Sequence, residues 1–237
     1  MNVKICFCLF SLLFLNHSYA AVSLDRTRAI FPGDKNSIVL NIENTNDNSS
    51  YLAQSWLEDD NGKKIEDGAL VALPPLQSLA PKTKSVVQIN KTGFAEKLPL
   101  DRESLFYFNL REIPPKAKEQ NVLQVALQTN IKLFYRPSAI LDKANTTYQR
   151  ELILTETSQG YKIKNPTPFH ITIIGIGKTA QASLESDFSV VMIKPFGEIE
   201  IKSKKLNYFF LTYIDDFGGK KSIPFSCQQA QCVAIKD

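Results

Sequence analysis

Residues 121–137 read Asn121-Val122-Leu123-Gln124-Val125-Ala126-Leu127-Gln128-Thr129-Asn130-Ile131-Lys132-Leu133-Phe134-Tyr135-Arg136-Pro137. Successive side chains on a β-strand point to opposite faces. Leu123, Val125 and Leu127 therefore share one face, and Gln124, Ala126 and Gln128 share the other. Lys132 then stands as a lone cation inside the apolar run Ile131–Tyr135. The pattern predicts one long strand over this stretch. The preceding segment, Pro114-Pro115-Lys116-Ala117-Lys118-Glu119-Gln120, is polar and prolyl. It predicts a loop joining Ser104–Arg111 to the long strand, in a hairpin that places the Val122 strand at or near a sheet edge.

Working outward, strand signals recur and helix signals do not. Ala29-Ile30-Phe31 precedes the turn Pro32-Gly33-Asp34, and Asp25-Arg26-Thr27-Arg28 reads as part of that same first strand. Ser37–Ile42 and Tyr51–Leu57 alternate, with a polar loop between them and the turn Asp59-Asp60-Asn61-Gly62 after them. Leu73-Pro74-Pro75 reads as extended chain, because proline disfavours helix in itself and in the residue before it. Ser85–Ile89 and Ser104–Leu110 are further strands. Short strands at this spacing predict a β-sandwich. Ser138–Thr147 loses the periodicity and reads as a linker. Beyond it lie strands at Leu152–Leu154, Tyr161–Ile163, Ile171–Ile174, Ser189–Ile193, Glu198–Lys202, Tyr208–Tyr213 and Ser222–Phe225, a second sandwich. The expected division is an export signal at 1–20, a first domain at 21–141 and a second at 142–237.

The export signal rests on Lys4, the apolar run Ile5–Leu15 and the small-residue site Ser18-Tyr19-Ala20. The run is too short to span a bilayer, and no later stretch is long and apolar enough to do so. Removing the leader takes away Lys4 and lowers the net charge from +4 to +3, too mild to suggest nucleic acid. Cys227 and Cys232 remain and are expected to pair in an oxidising compartment, a short loop worth about 2 kcal/mol. His170 is the one histidine left.

Gly177-Lys178-Thr179 resembles the end of a phosphate-binding loop, but Thr172 stands where that motif needs glycine, so a turn between strands is expected. His170 has no nucleophile-elbow Gly-x-Ser-x-Gly to serve and no set of metal ligands around it, so no catalytic residue, metal or cofactor is assigned. Arg28 and Lys132, read alone, are solvated charges. If their strands lie side by side they form a cation pair without an acid, a candidate carboxylate or phosphate site. Glu103, Arg136 and Asp216 read either as three surface charges or as an ion network between the halves.

Several runs together carry a family likeness. They are A-V-S-L-D-R-T-R from Ala21, Y-L-A-Q-S-W from Tyr51, L-P-P-L from Leu73 and L-P-L-D-R-E-S-L-F-Y-F-N-L-R-E-I-P-P from Leu98, with I-K-L-F-Y-R-P from Ile131, N-P-T-P-F from Asn165 and Y-I-D-D-F-G-G from Tyr213. The chain resembles the periplasmic pilus (fimbrial) chaperones, most nearly the P-pilus branch. The resemblance implies an all-β protein of two immunoglobulin-like sandwiches set as a boomerang around a cleft. It implies no enzyme activity. Pilus subunits (pilins and adhesin) would be the partners, capped by donor-strand complementation and passed to an outer-membrane usher. Leu123, Val125 and Leu127 match the donor residues. Arg28 and Lys132 match the anchor for the subunit's C-terminal carboxylate, and Glu103, Arg136 and Asp216 match an interdomain salt bridge. His170 and Pro32 depart from the family pattern at positions expected to lie away from the cleft. An exposed apolar strand also makes self-association of the empty form an expectation. The rival from the residues alone is an exported structural or adhesive sandwich, which has no need of Arg28 and Lys132.

Overall fold

The computed structural model describes residues 21–117 and 123–235. The expected leader at 1–20 lies outside these, as do Lys118–Gln120 of the predicted loop and Asn121 and Val122 of the predicted strand. The first half carries β1 (Val22–Leu24), β2 (Arg28–Pro32), β3 (Ser37–Asn44), β4 (Tyr51–Glu58), β5 (Leu70–Leu73), β6 (Leu76–Leu79), β7 (Lys84–Lys91), β8 (Ser104–Ile113) and β9 (Gln128–Arg136). They form a four-stranded sheet, β1-β3-β7-β5, and a five-stranded sheet, β2-β9-β8-β4-β6. Alternation in β3 and β7 buries Leu40, Ile42, Val87 and Ile89 and turns Val39, Asn41, Val86 and Gln88 outward. These meet Phe31, Leu57, Phe108 and Leu133 of the other sheet in one core. Each such side chain, fully buried, contributes about 1.5–3 kcal/mol.

Two local readings change in the folded chain, and the extended Leu73–Pro75 gains a role. Asp25-Arg26-Thr27 is not strand: β1 pairs with β3 in one sheet and β2 with β9 in the other, so these residues carry the chain across. Leu73-Pro74-Pro75 makes the corresponding crossing from β5 to β6, with a cis Leu73–Pro74 bond and the Pro74 and Pro75 carbonyls accepting from Ser55. The long strand is also shorter than its alternation suggests. β9 begins at Gln128, because its ladder with β8 ends at Arg111↔Gln128 and its parallel ladder with β2 covers only Lys132–Arg136. One further rung, Glu112 N–H to the Leu127 carbonyl at 3.0 Å, continues past the strand start. β9 is thus flanked on both sides at its C-terminal end and open on one side over Gln128–Ile131.

The second half carries β10 (Ile153–Glu156), β11 (Gly160–Lys164), β12 (Ile171–Gly177), α1 (Ala180–Leu184), β13 (Val191–Ile193), β14 (Glu198–Lys202), β15 (Tyr208–Ile214), β16 (Lys220–Gln228) and β17 (Gln231–Ala234). Its strands run as one ladder, β13-β12-β15-β16-β17-β10-β11-β14, rather than as two separate sheets. The ladder still makes two layers: Ile193 and Ile171 near one end share a core with Tyr161 and Ile201 near the other. β16 makes the passage, pairing with β15 over Lys220–Ser226 and with β17 over Phe225–Gln228. Cys227 and Cys232 sit opposite one another on β16 and β17 and are joined, as expected.

The turn expected after Gly177 is a single helical turn. Thr179 caps α1, its hydroxyl accepting from Ala182 N–H at 3.1 Å. α1 lies so close on β12 that a Cβ at Gly175 would overlap the Ser183 carbonyl oxygen at 1.6 Å, so only glycine fits there. Between the halves, Ser138–Thr147 forms two 3-10 turns, Ser138–Ile140 and Asp142–Asn145, and a third follows at Tyr148–Glu151. Core membership passes from Tyr135, in the first core, to Ile140, in the second. Among the described residues no helix is long and apolar enough to cross a membrane.

Candidate functional site

The parallel register of β2 on β9 sets Arg28 directly beside Lys132. Arg28 donates from Nη1 to the Ile214 carbonyl at 3.3 Å, and its guanidinium carbon lies 6.0 Å from the centre of the Phe134 ring. Both side chains are half-buried. Burial holds the Arg28 pKa below its ordinary value despite the negative charges of Asp216, Asp215 and Glu103 nearby. Burial also lowers that of Lys132, and the charge of Arg28 lowers it further. Among the described residues neither cation forms an ion pair with a carboxylate. Two like charges held together without an acid are electrostatically unfavourable until an anion joins them.

The acids that would have neutralised them are engaged elsewhere. Arg136 donates from Nη1 and Nη2 to Asp216 at 2.8 and 3.1 Å, and from Nε to Glu103 at 2.9 Å. Its guanidinium lies 4.8 Å over the Phe169 ring. Burial opposes the charge on Arg136, but Asp216 and Glu103 outweigh it and raise the pKa. The Tyr148 hydroxyl donates to Asp216 at 3.0 Å, and burial together with the charges of Asp216 and Glu103 raises the tyrosine pKa. Folding therefore brings Glu103, Arg136 and Asp216 into contact, linking β9 and the residue before β8 in the first half to the β15–β16 turn of the second.

Sequence reading passed over two members of this cluster. His170, expected to lie away from the cleft, joins the ion cluster through Glu103. Its backbone N–H donates to Glu103 Oε2 at 2.7 Å, its Nδ1 is 3.2 Å from the same oxygen, and its ring packs on Phe134 at 5.3 Å. Tyr148, the second member, lies one residue past the segment Ser138–Thr147 that reads as a linker. Its phenol was the only signal, and a lone tyrosine beside a polar run gives no hint of a partner sixty-eight positions away.

A cavity of about 490 Å³ opens between the halves, lined by Arg28, Ile30, Arg136, Asp216 and Phe217 among others. Beyond the cation pair, Leu123, Val125 and Leu127 are 88%, 61% and 42% exposed, and none belongs to the first core. Gln124 ties this segment to the preceding loop, donating from Nε2 to the Pro115 carbonyl at 2.6 Å. An apolar run beside an unpaired strand edge can accept an added strand from another chain. Elsewhere, the sulfurs of Cys227 and Cys232 lie near Glu156, but their bond to each other leaves no thiolate to hold a metal.

Two family models match the chain. One describes a pili and flagellar-assembly chaperone, PapD N-terminal domain, and covers residues 21–141; the other describes a pili assembly chaperone PapD, C-terminal domain, and covers 147–225. The chain belongs to the pili-assembly chaperones. It is 47% identical over 234 residues to the chaperone protein PapD of Escherichia coli, spanning 99% of this chain and 98% of that one. Among solved structures, the periplasmic chaperone SfaE matches with a TM-score of 0.68 at 29% identity, over 86% of this chain and 98% of its own. The SafB chaperone of Salmonella enterica, solved with the SafA pilin, shares the fold with a TM-score of 0.75 at 22% identity, over 89% of this chain and 98% of the matched one. In this pili-assembly chaperone, then, Lys132 follows the open edge of β9 on the same strand, and Arg28 faces it from the first residue of β2.

Proposed function

We propose that this protein is a non-enzymatic periplasmic chaperone that caps pilus subunits, pilins and adhesin alike, and delivers them to an outer-membrane usher. One observation carries the reading. Three exposed, alternating aliphatic residues lead into an open strand edge, which leads to two cations that among the described residues pair with no acid. In this proposal a subunit whose sandwich lacks a strand accepts Leu123–Leu127 into its groove. Fully burying the three side chains is worth about 5–8 kcal/mol before the cost of ordering them. Strand addition of this kind is a general recognition mode, with chaperone–pilin complementation among its standard examples.

Arg28 and Lys132 would hold the subunit's C-terminal carboxylate. The subunit strand would then lie along the edge of β9 that β2 leaves open ahead of Arg28, parallel to β9, with its end against Arg28. At about 3.3 Å per residue, Lys132 stands about 17 Å from Leu127 and about 30 Å from Leu123. The anchor sets the register, because a slip of one residue turns every aliphatic side chain out of the groove. Glu103, Arg136 and Asp216 would hold the angle between a first domain at 21–141 and a second at 142–237. The empty form would shield its open edge by self-association. Nucleic acid and membrane insertion have no part in this reading. Support comes from the family models, the PapD likeness and the SafB fold seen with a pilin.

Lys132→Glu tests the anchor. It is expected to leave the fold intact and abolish co-purification of subunits from periplasmic extract; undiminished co-purification would remove the carboxylate anchor from the proposal. An exported adhesive sandwich would be indifferent to the change.

A further inference from the structure

Phe217 stands at the tip of the β15–β16 hairpin with 94% of its surface exposed. A floppy loop would explain such a residue, but this turn is held from several directions. Asp215 Oδ1 accepts from the N–H groups of Phe217 at 3.0 Å and Gly219 at 2.6 Å. Asp215 also closes the turn through its backbone, donating to the Gly219 carbonyl at 2.8 Å and accepting from Gly218 N–H at 3.1 Å. Asp216, next in the chain, is fixed by Arg136 and Tyr148. Gly218 has φ +85°, and a Cβ there would meet Thr27 Oγ1 at 2.3 Å. The turn is therefore seated against the crossing segment one residue before Arg28. The fold spends a glycine and a buried ion network to hold an aromatic ring in water, on the wall of the cavity that Arg28 also lines.

We propose that Phe217 is a specificity-determining contact: it packs on the apolar or aromatic side chain of the residue whose terminal carboxylate meets Arg28 and Lys132. This rests on the carboxylate-anchor reading above. The cations recognise that a chain ends; the ring reads what it ends in. The backbone that carries the ring is already ordered, so contact at this point adds selectivity without the cost of ordering a loop.

The test uses the purified mature protein and three synthetic octapeptides of one alternating apolar sequence. One ends in Phe with a free carboxylate, one in Ser with a free carboxylate, and one in Phe amide. The wild type is expected to bind the Phe acid about tenfold more tightly than the Ser acid, and to bind the amide at least tenfold more weakly. In Phe217→Ala the Phe-to-Ser ratio should collapse to about one, while Phe217→Tyr should keep it. An unchanged ratio in Phe217→Ala, with the acid still preferred over the amide, overturns the role of Phe217 alone. Equal binding of acid and amide, or no binding of any peptide, overturns the anchor and this inference with it. A dimer seen by sedimentation in the wild type and lost in Phe217→Ala, with the ratio intact, assigns the ring to self-association and also overturns it.

Discussion

Lys132→Met should move stability and capture in opposite directions. Facing residues on neighbouring strands place their charged ends about 5–8 Å apart. Two unit charges at that separation repel by about 2–3 kcal/mol at an effective dielectric of about 20. Arg28 and Lys132 are both half-exposed, so solvent and salt reduce this to about 1 kcal/mol. Methionine keeps the length and apolar stem of lysine and removes both the repulsion and the burial of a charge. The free protein should therefore gain about 1 kcal/mol, a rise of about 2–4 °C in Tm for a chain of this size. Capture of a co-expressed pilin by the tagged chaperone should fall at least tenfold, because one of the two cations proposed to anchor the terminal carboxylate is gone. Differential scanning fluorimetry and quantitative pull-down read the two effects. A lysine that merely supports the fold would lower both readings when replaced. A lower Tm in the variant, or capture within twofold of wild type, refutes the reasoning.

Three more outcomes are expected. Val125→Asp should leave Tm unchanged, since the side chain is exposed, and should remove pilin from the pull-down by placing a charge in an apolar groove; a drop in Tm would place Val125 in the protein's own core. Arg136→Ala should cost about 3–5 kcal/mol in chemical denaturation, because Glu103 is left buried with only His170 to answer it, and Arg136→Lys should recover only part of this, lacking the forked geometry. Tyr148→Phe should cost about 1.5–3 kcal/mol at neutral pH through the lost bond to the Asp216 carboxylate. The folded-state Tyr148 pKa is raised above its unfolded value near 10, so its contribution is full below about pH 10 and is lost as the pH rises through the folded value. A stability profile above pH 10 should thus be shallower in Tyr148→Phe, though not flat, since burial also raises Tyr135, Tyr161 and Tyr213. An identical slope would count against the bond.

Period-two alternation was enough to read β3, β4 and β7, because each has one face on a core and one in water. The same rule overran at residues 123–127, which alternate just as cleanly but have no sheet to join beyond a single rung to Glu112. Alternation reports which face a strand could bury, and only a second surface decides whether it does. The rule also missed the crossings at Asp25–Thr27 and Leu73–Pro75, because a chain changing sheets stays extended on both sides of the change. The family likeness implies contact among Glu103, Arg136 and Asp216. It did not bring in His170 or Tyr148, whose contacts are made by packing between the halves.

Composition, alternation and turn chemistry suffice for an all-β chain of two sandwiches, since those signals are local and each strand states its own pattern. Which charges remain unanswered is a different kind of fact. Arg28 and Lys132 each read as an ordinary solvated cation along the chain. Only the parallel register of β2 on β9, and the capture of Asp216 by Arg136, leaves them side by side with no acid paired to either among the described residues. Coulomb energy depends on separation through space, and covalent order sets only separation along the backbone, so the vacancy that defines the cleft exists in the folded molecule alone.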